Sequence, residues 1–265
     1  MPSDFSKMFP GFKKRRQEPD EWDKTIVSIP PCQLKDLALP EQRQDISSQQ
    51  DEKVEQQTFK IRLAHSNERV NSASMLVQRK YASRGYEASS FQKDPDRITL
   101  VAFQDDKVIG TLTLGLDSSK PLLVEELYQC EIDSLRAEGR KVCELTKLAV
   151  DKTHGSKRVL ASLFHIAYIY GRVMQGHTDV VIEVNPRHVA FYKRMLGFKE
   201  FGPERLCSRV NAPAVLLRLE LEYVDQQIEL LGGKGDSAGG VRSLYPFFFN
   251  KNDEIGITNR LIQGG

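Results

Sequence analysis

Residues 142–163, VCELTKLAVDKTHGSKRVLASL, carry an apolar strand through a tight polar loop directly into a helix. This unit constrains the chain most. A strand that feeds a helix start leaves free backbone N–H groups aimed at whatever lies before them, which suits a phosphate. A second unit follows at 180–198, VVIEV and then NPRHVAFYKRMLGF. There a buried strand ends at Asn185 as N-cap, Pro186 takes the first helical position, and Gly197 stops the helix.

The rest of the chain permits a layered fold around these units. A length of 265 residues lies between one and two domains on a prior of about 150 residues each. Hydrophobic residues make up 40%, enough for a core, and 38 basic residues against 36 acidic give a net charge of +2. No global field therefore draws the chain onto nucleic acid, and the Lys13-Lys14-Arg15-Arg16 cluster reads as a solvated tail. Four cysteines without C-x-x-C spacing suggest neither a metal site nor a disulfide framework, and fit a reducing cytoplasm. MPSDFSKMFPGFKKRR lacks the apolar core of a signal peptide. The longest nearly apolar stretch, Val159 to Tyr170, is broken by His165 and is too short for a bilayer. The expectation is a cytoplasmic protein, soluble or peripheral to a membrane.

Residues 1–57 read as a flexible extension, because EQRQDISSQQDEKVEQQ is polar and has no apolar face to bury. Trp22, Ile26, Val27 and Ile29 form one apolar island able to dock on the body. The body spans 58–222. TFKIRLA alternates as a strand, and Ser66 can cap a helix to about Tyr81. Strands Ile98–Phe103 and Val108–Leu116 pair through Asp105-Asp106. An acidic helical insertion, PLLVEELYQCEIDSLRAEG, precedes the strand 141–150. A long helix 156–175, a strand 179–184, a helix 187–196 and two closing strands near 198 and 214–221 complete the order. Residues 223–265 read as a C-terminal helix or linker, with GGKGDSAGG flexible and YPFFF an apolar patch that packs.

The run N-x-x-x-A-F-Y-x-x-x-G-F and the order β-α-β-β-β-α-β-α-β-β resemble the GNAT acyltransferases. That resemblance implies an α/β (α+β layered) fold with a mixed central sheet, splayed between its fourth and fifth strands and flanked by helices. The pantetheine arm of an acyl thioester would enter the splay. Amine attack then needs a base, a donor to the carbonyl oxygen and an acid for the thiolate. By the resemblance, the Leu148 N–H faces the thioester oxygen, and its alternative is plain core strand. Tyr192 is the acid candidate or an aromatic core residue, and Asn185 either bonds the pantetheine or caps its helix. Glu144 is the base candidate, alternating with Thr146 and Leu148 on one strand face. Its alternative is an ion pair with Lys147 or Arg140.

The loop departs from the acetyltransferase pattern, with one glycine in Asp151 to Arg158. Val150, His154, Gly155 and Ser156 remain the donor-contacting candidates. Lys152, Lys157 and Arg158 could meet an acidic carrier protein or be solvated helix-start residues. C-E-L-T-K-L-A-V also resembles the E-x-x-R-F-A-V strand of acyl-homoserine lactone synthases. Over 58–222, F-K-I-R-L-A, Y-A-S-R-G-Y, D-R-I-T-L-V-A and E-I-D-S-L-R-A-E-G-R-K-V resemble the long-chain N-acyl amino acid synthases. This implies an N-acyltransferase joining a long acyl chain from acyl carrier protein to the α-amine of an amino acid. No cofactor is held permanently; acyl-phosphopantetheine, on carrier protein or coenzyme A, is the donor substrate. No metal and no nucleic acid are expected, and the lipid product brings contact with a membrane surface. Arg84 is the first candidate for the acceptor carboxylate and Lys147 the second. Tyr81, Tyr86 and Phe91, with Leu122, Leu123, Leu127 and Tyr128, are the expected acyl-groove walls, or else ordinary helix packing. The competing functions are an acetyl-CoA-dependent GNAT acetyltransferase and a catalytically silent domain that binds an acyl carrier.

Overall fold

The computed structural model describes residues 25–29, 58–64, 67–83, 94, 96–151 and 157–263, with backbone alone for 67–69. The chain runs β1 (Val27–Ile29), β2 (Phe59–Leu63), α1 (Asn67–Ala82), β3 (Arg97–Gln104), β4 (Lys107–Leu116), α2 (Glu125–Ala137) and β5 (Val142–Val150). Next come α3 (Lys157–Tyr168), β6 (Asp179–Val184), α4 (Pro186–Leu196), β7 (Lys199–Glu200), β8 (Arg205–Cys207), β9 (Ala212–Glu220), α5 (Leu221–Leu231) and α6 (Lys251–Gln263). The expected order of the body therefore stands, with β8 added. Of the expected apolar island, Val27–Ile29 docks as a strand, β1 pairing antiparallel with β2, and Trp22 lies outside the described residues.

Local chemistry explains the best-read elements. Asn185 has extended backbone and its side chain accepts from the Arg187 N–H, while Gly197 closes α4 at φ 83°. Asp105 and Asp106 both take positive φ, 46° and 61°, the tight hairpin geometry that Asp tolerates. The single helix expected over 156–175 instead ends its α-helical part at Tyr168 and continues as a π-helical turn, Ile169–Met174.

The sheet order is β1-β2-β3-β4-β5-β6-β9-β7, with β8 on β9. Every neighbouring pair is antiparallel except β5 and β6. α3 lies against one face at close range, since a Cβ on Gly110 would meet Leu163 at 3.1 Å and Val159 at 3.2 Å. On the other face α1 sets Leu76 and Val77 against Ala149, and α2 sets Tyr128, Ile132 and Leu135 against Val142, Val181 and Leu216.

The C-terminal segment shares the α3-side core. Val224, Ile228, Leu244, Tyr245, Phe248, Ile257 and Leu261 are buried in one cluster with α3 and the sheet. Each such side chain contributes about 1.5–3 kcal/mol when removed from water, so the YPFFF patch packs as expected. Among the described residues, no helix is long and apolar enough to cross a membrane.

Candidate active site

The sheet opens where β5 and β6 part. Their parallel register holds only for Val142–Asp179, Cys143–Val180 and Glu144–Val181. At the closed end Asp179, fully buried, takes Arg140 at 2.6 and 3.0 Å, Arg218 at 2.8 Å and Thr178 at 2.6 Å. Among the described residues, the edge of β5 toward β6 has no strand partner beyond Glu144. Such an edge can bond an extended chain laid along it.

A bulge on the other edge of β5 sets the geometry of the cleft. Thr146 pairs with Thr113 and Ala149 with Thr111, so Lys147 and Leu148 together oppose Leu112. Lys147 takes φ 52°, a left-handed conformation that costs of order 1–3 kcal/mol outside glycine. Thr111 Oγ1 donates to the Lys147 carbonyl at 2.9 Å and holds the distortion in place. The extra residue resets the side-chain alternation. Leu148 joins Leu145 against the α3-side core, whereas Glu144 and Ala149 face α2 and α1. The expectation that Glu144 and Leu148 share a face is thereby corrected.

The resulting cleft encloses about 480 Å³. Leu145, Leu148, Phe164, Val184 and Tyr192 line it on the α3 side, and Tyr81, Leu123, Val124, Glu144, Glu183 and Arg209 on the other. Glu144 is 1% exposed. Its Oε1 accepts from Arg97 Nη1 at 2.7 Å and from the Leu123 N–H at 3.0 Å, and its Oε2 from the Val124 N–H at 3.0 Å. The ion-pair partner is thus Arg97, neither Lys147 nor Arg140. Arg97 reaches it across Gly115, where a Cβ would lie 2.8 Å from Glu144 Cγ. Both N–H groups belong to the residues leading into α2, so Glu144 anchors the insertion to the sheet.

Lys147 lines the cleft, and burial, then the Arg97 charge, holds its ammonium below the ordinary lysine range. Tyr192 is half-buried on the wall, edge-on to Phe191 at 5.3 Å and to Phe198 at 5.8 Å. Asn185 lines the cleft as well as capping α4, and its Nδ2 donates to the Pro213 carbonyl at 3.1 Å. Val150 closes β5 opposite Gly110 and lies outside the lining.

Leu127 is a correction. It packs on the cluster beneath α2 with Leu122 and Tyr128, because the apolar face of that helix is consumed by Val142, Val181 and Leu216. Of the expected groove walls in the described residues, Tyr81 and Leu123 reach the cleft. Lys157 opens α3 and lies over the Phe247 ring at 5.8 Å, with Arg158 beside it. Arg84, Tyr86, Phe91, Lys152, His154, Gly155 and Ser156 lie outside the described residues.

Two cleft features escaped the sequence reading. Glu183 and Arg209 are joined at 2.7 Å, and the Thr146 hydroxyl is buried without a hydrogen-bond partner. Glu183 carried a signal, a carboxylate inside the apolar VVIEV strand as Glu144 is inside VCEL. Arg209 sits in a loop 26 residues away from it and carried none. Among the described residues, no cluster of three or more His, Cys, Asp or Glu is placed to hold a metal ion.

The family model of the N-acyl amino acid synthase FeeM matches residues 72–220. The solved structure of FeeM, an N-acyl amino acid synthase from uncultured soil microbes, is 27% identical with a TM-score of 0.57, over 62% of this chain and 90% of that one. The AHL synthase LasI matches at 15% identity and TM-score 0.46, over 62% and 91%. An acyl-CoA N-acyltransferase from Pseudomonas aeruginosa matches at 14% and 0.42, over 60% and 97%. A search of curated proteins finds no match. The family model spans more than half of the 265 residues, and the chain belongs to the FeeM N-acyl amino acid synthase family of amide-forming acyltransferases.

Proposed function

We propose that this acyltransferase joins a long acyl chain, delivered on the phosphopantetheine of acyl carrier protein, to the α-amine of an amino acid. The observation that carries the reading is the end of β5–β6 pairing at Glu144 and Val181. It leaves a strand edge able to bond the pantetheine amides beside a cleft with one apolar wall. The amine lone pair attacks the thioester carbon, and the Leu148 N–H donates to the oxygen as negative charge develops there. The C–S bond then breaks, the thiolate takes a proton from the Tyr192 hydroxyl, and the amine's surplus proton leaves to a carboxylate. Amide and free thiol result.

The acyl chain is assigned to the α3 side. Leu145 and Phe164 line both the cleft and a wholly apolar void that continues along Cys143, Ala167, Tyr168 and Gly171. That void holds about 30 Å³, room for little more than a water or two. Donor binding therefore has to part Leu145 and Phe164, and each methylene that enters contributes about 0.8 kcal/mol. Lys157 and Arg158 at the start of α3, with Lys152 before it, are the proposed contacts for the acidic carrier.

The test incubates purified protein with acetyl-CoA or with carrier protein loaded with chains of increasing length, plus mixed amino acids, and identifies products by mass spectrometry. Catalytic efficiency should climb steeply with chain length, and Ala167→Leu should move the optimum to shorter chains. Equal reaction of acetyl and long-chain donors would replace this reading with the acetyltransferase one, and thioester binding without product would leave a silent carrier-binding domain.

A further inference from the structure

We infer that Glu183 and Arg209 form the acceptor subsite, selective for a zwitterionic α-amino acid, with Glu183 receiving the ammonium and Arg209 the carboxylate. The inference rests on the proposed amino-acid acceptor and deepens it. Glu183 stands two residues beyond Val181, the last β6 residue paired with β5. It therefore shares the face of Val181, which packs beneath α2. The apolar wall of Leu145, Leu148 and Phe164 lies on the opposite face. An acceptor at Glu183 and a donor chain at Phe164 would approach the splay from opposite faces and meet inside it.

The pair is incompletely satisfied. Glu183 Oε2 takes Arg209 Nη2 at 2.7 Å, with side chains 14% and 29% exposed. Burial and then the neighbouring Glu183 carboxylate raise the Cys207 thiol pKa. Arg209 Nη1 donates to the Leu123 carbonyl at 2.9 Å and to Glu126. Both members line the cleft, as does Thr146 with its unpartnered hydroxyl. A partly desolvated ion pair is weak evidence for a stabilising role, and a buried hydroxyl without a partner costs about 1–3 kcal/mol. An amino acid resolves both. Its ammonium and carboxylate are held one carbon apart, so inserting it exchanges one ion pair for two, with the guanidinium gripping the carboxylate through two N–H groups. The hydroxyl gains a polar neighbour. Glu183 then accepts one ammonium proton and the freed lone pair attacks the thioester carbon; the second N–H proton, shed as the amide forms, replaces the one that Tyr192 gives to the thiolate.

The experiment compares an α-amino acid with the amine that lacks only its carboxylate, under a fixed long-chain donor. Arg209→Gln should raise KM for the amino acid by roughly 10–100-fold while leaving the amine nearly unchanged. Glu183→Gln should lower kcat for both acceptors by roughly 10²–10⁴-fold. Glu126→Ala removes the Arg209–Glu126 tie from the loop to α2 and should preserve the preference for the amino acid. If Arg209→Gln does not fold, Arg209→Lys keeps the charge, loses the fork and should give an intermediate KM. Equal effects of either Arg209 variant on the two acceptors would overturn the inference while leaving an amino-acid acceptor intact. A wild-type enzyme that acylates the amine and no amino acid would overturn the proposed acceptor, and this subsite with it.

Discussion

Two carboxylate–arginine pairs stand on the same side of the sheet and differ in how completely they are used. Glu144–Arg97 is closed: the carboxylate is 1% exposed and takes a guanidinium and two backbone N–H groups. Glu183–Arg209 is open: the carboxylate keeps 14% side-chain exposure and takes one guanidinium contact. Residue type is identical. What separates them is position relative to the splay. Glu144 is the last β5 residue paired with β6, where the incoming α2 backbone reaches it, and Glu183 lies beyond the last pair, where the strands have parted. A saturated carboxylate fastens elements together, whereas an unsaturated one in a cleft retains bonding capacity for a substrate.

Substitution at both glutamates breaks that comparison most directly. Glu144→Ala leaves Arg97 and two N–H groups without their acceptor, so unfolding free energy should fall by about 3–5 kcal/mol. Glu144→Gln sets an amide N–H₂ against the Arg97 guanidinium or the N–H groups of 123 and 124, and should also lose stability. Glu183→Gln should unfold within about 1 kcal/mol of wild type while turnover collapses. Chemical denaturation paired with steady-state kinetics reads both. A stable Glu144→Gln with greatly reduced turnover would return the base role to Glu144.

A buried carboxylate on α6 sharpens the rule through pH. His165, fully buried on α3, accepts the Phe249 N–H on Nδ1 at 2.9 Å, so its Nε2 carries the proton and donates to Glu254 Oε2 at 3.0 Å. Burial, only partly offset by Glu254, pushes the His165 pKa below the ordinary histidine value. Glu254 is held below the ordinary glutamate range, against burial, by His165 and Lys251. Both folded-state pKa values are depressed. The unfolded chain binds more protons as pH drops below about 6.5, so this stability is present above that value and is lost as pH falls through the depressed folded pKa. Each unit of depression is worth about 1.4 kcal/mol. Thermal unfolding between pH 7.5 and 5.5 should show the loss. His165→Gln, which can still accept from Phe249 and donate to Glu254, should flatten the slope; an unchanged slope would place the titration elsewhere.

The contrast also marks what the sequence made legible. The strand–loop–helix at 142–163 and the capped helix at 185–197 carried their own signals: apolar runs, Asn185, Pro186 and Gly197. The bulge did not. Lys147 holds φ 52° without being glycine, and tertiary support from Thr111 maintains it, so strict alternation placed Leu148 on the wrong face. Arg97 and Arg209 reach their carboxylates over 47 and 26 residues, separations at which no local pattern speaks. A C-terminal helix or linker was expected from 223, and only the start of α5 at Leu221 was missed, for another reason. Leu221, Val224 and Ile228 carry a helical stripe, yet Leu221 directly follows the apolar strand β9 and reads as its continuation.

The smallest effect belongs to the solvent-facing cations, where charge acts on encounter and contact geometry matters little. Lys157 opens α3 without an acidic residue in the first turn, so it adds positive charge to a helix end that already favours anions. Its ammonium lies over the Phe247 ring at 5.8 Å, a cation–π contact that leaves its charge in place. An acidic carrier approaching this end gains attraction that salt screens over about 8–10 Å. Lys157→Glu with Arg158→Glu should therefore raise KM for the carrier-borne donor several-fold at low ionic strength, with kcat nearly constant and the difference shrinking in high salt. A free acyl-pantetheine thioester, which has no acidic carrier surface, should react equally with wild type and variant. If both donors weaken together, the cations act on the phosphopantetheine arm or on the fold of α3, and the carrier must dock on another face.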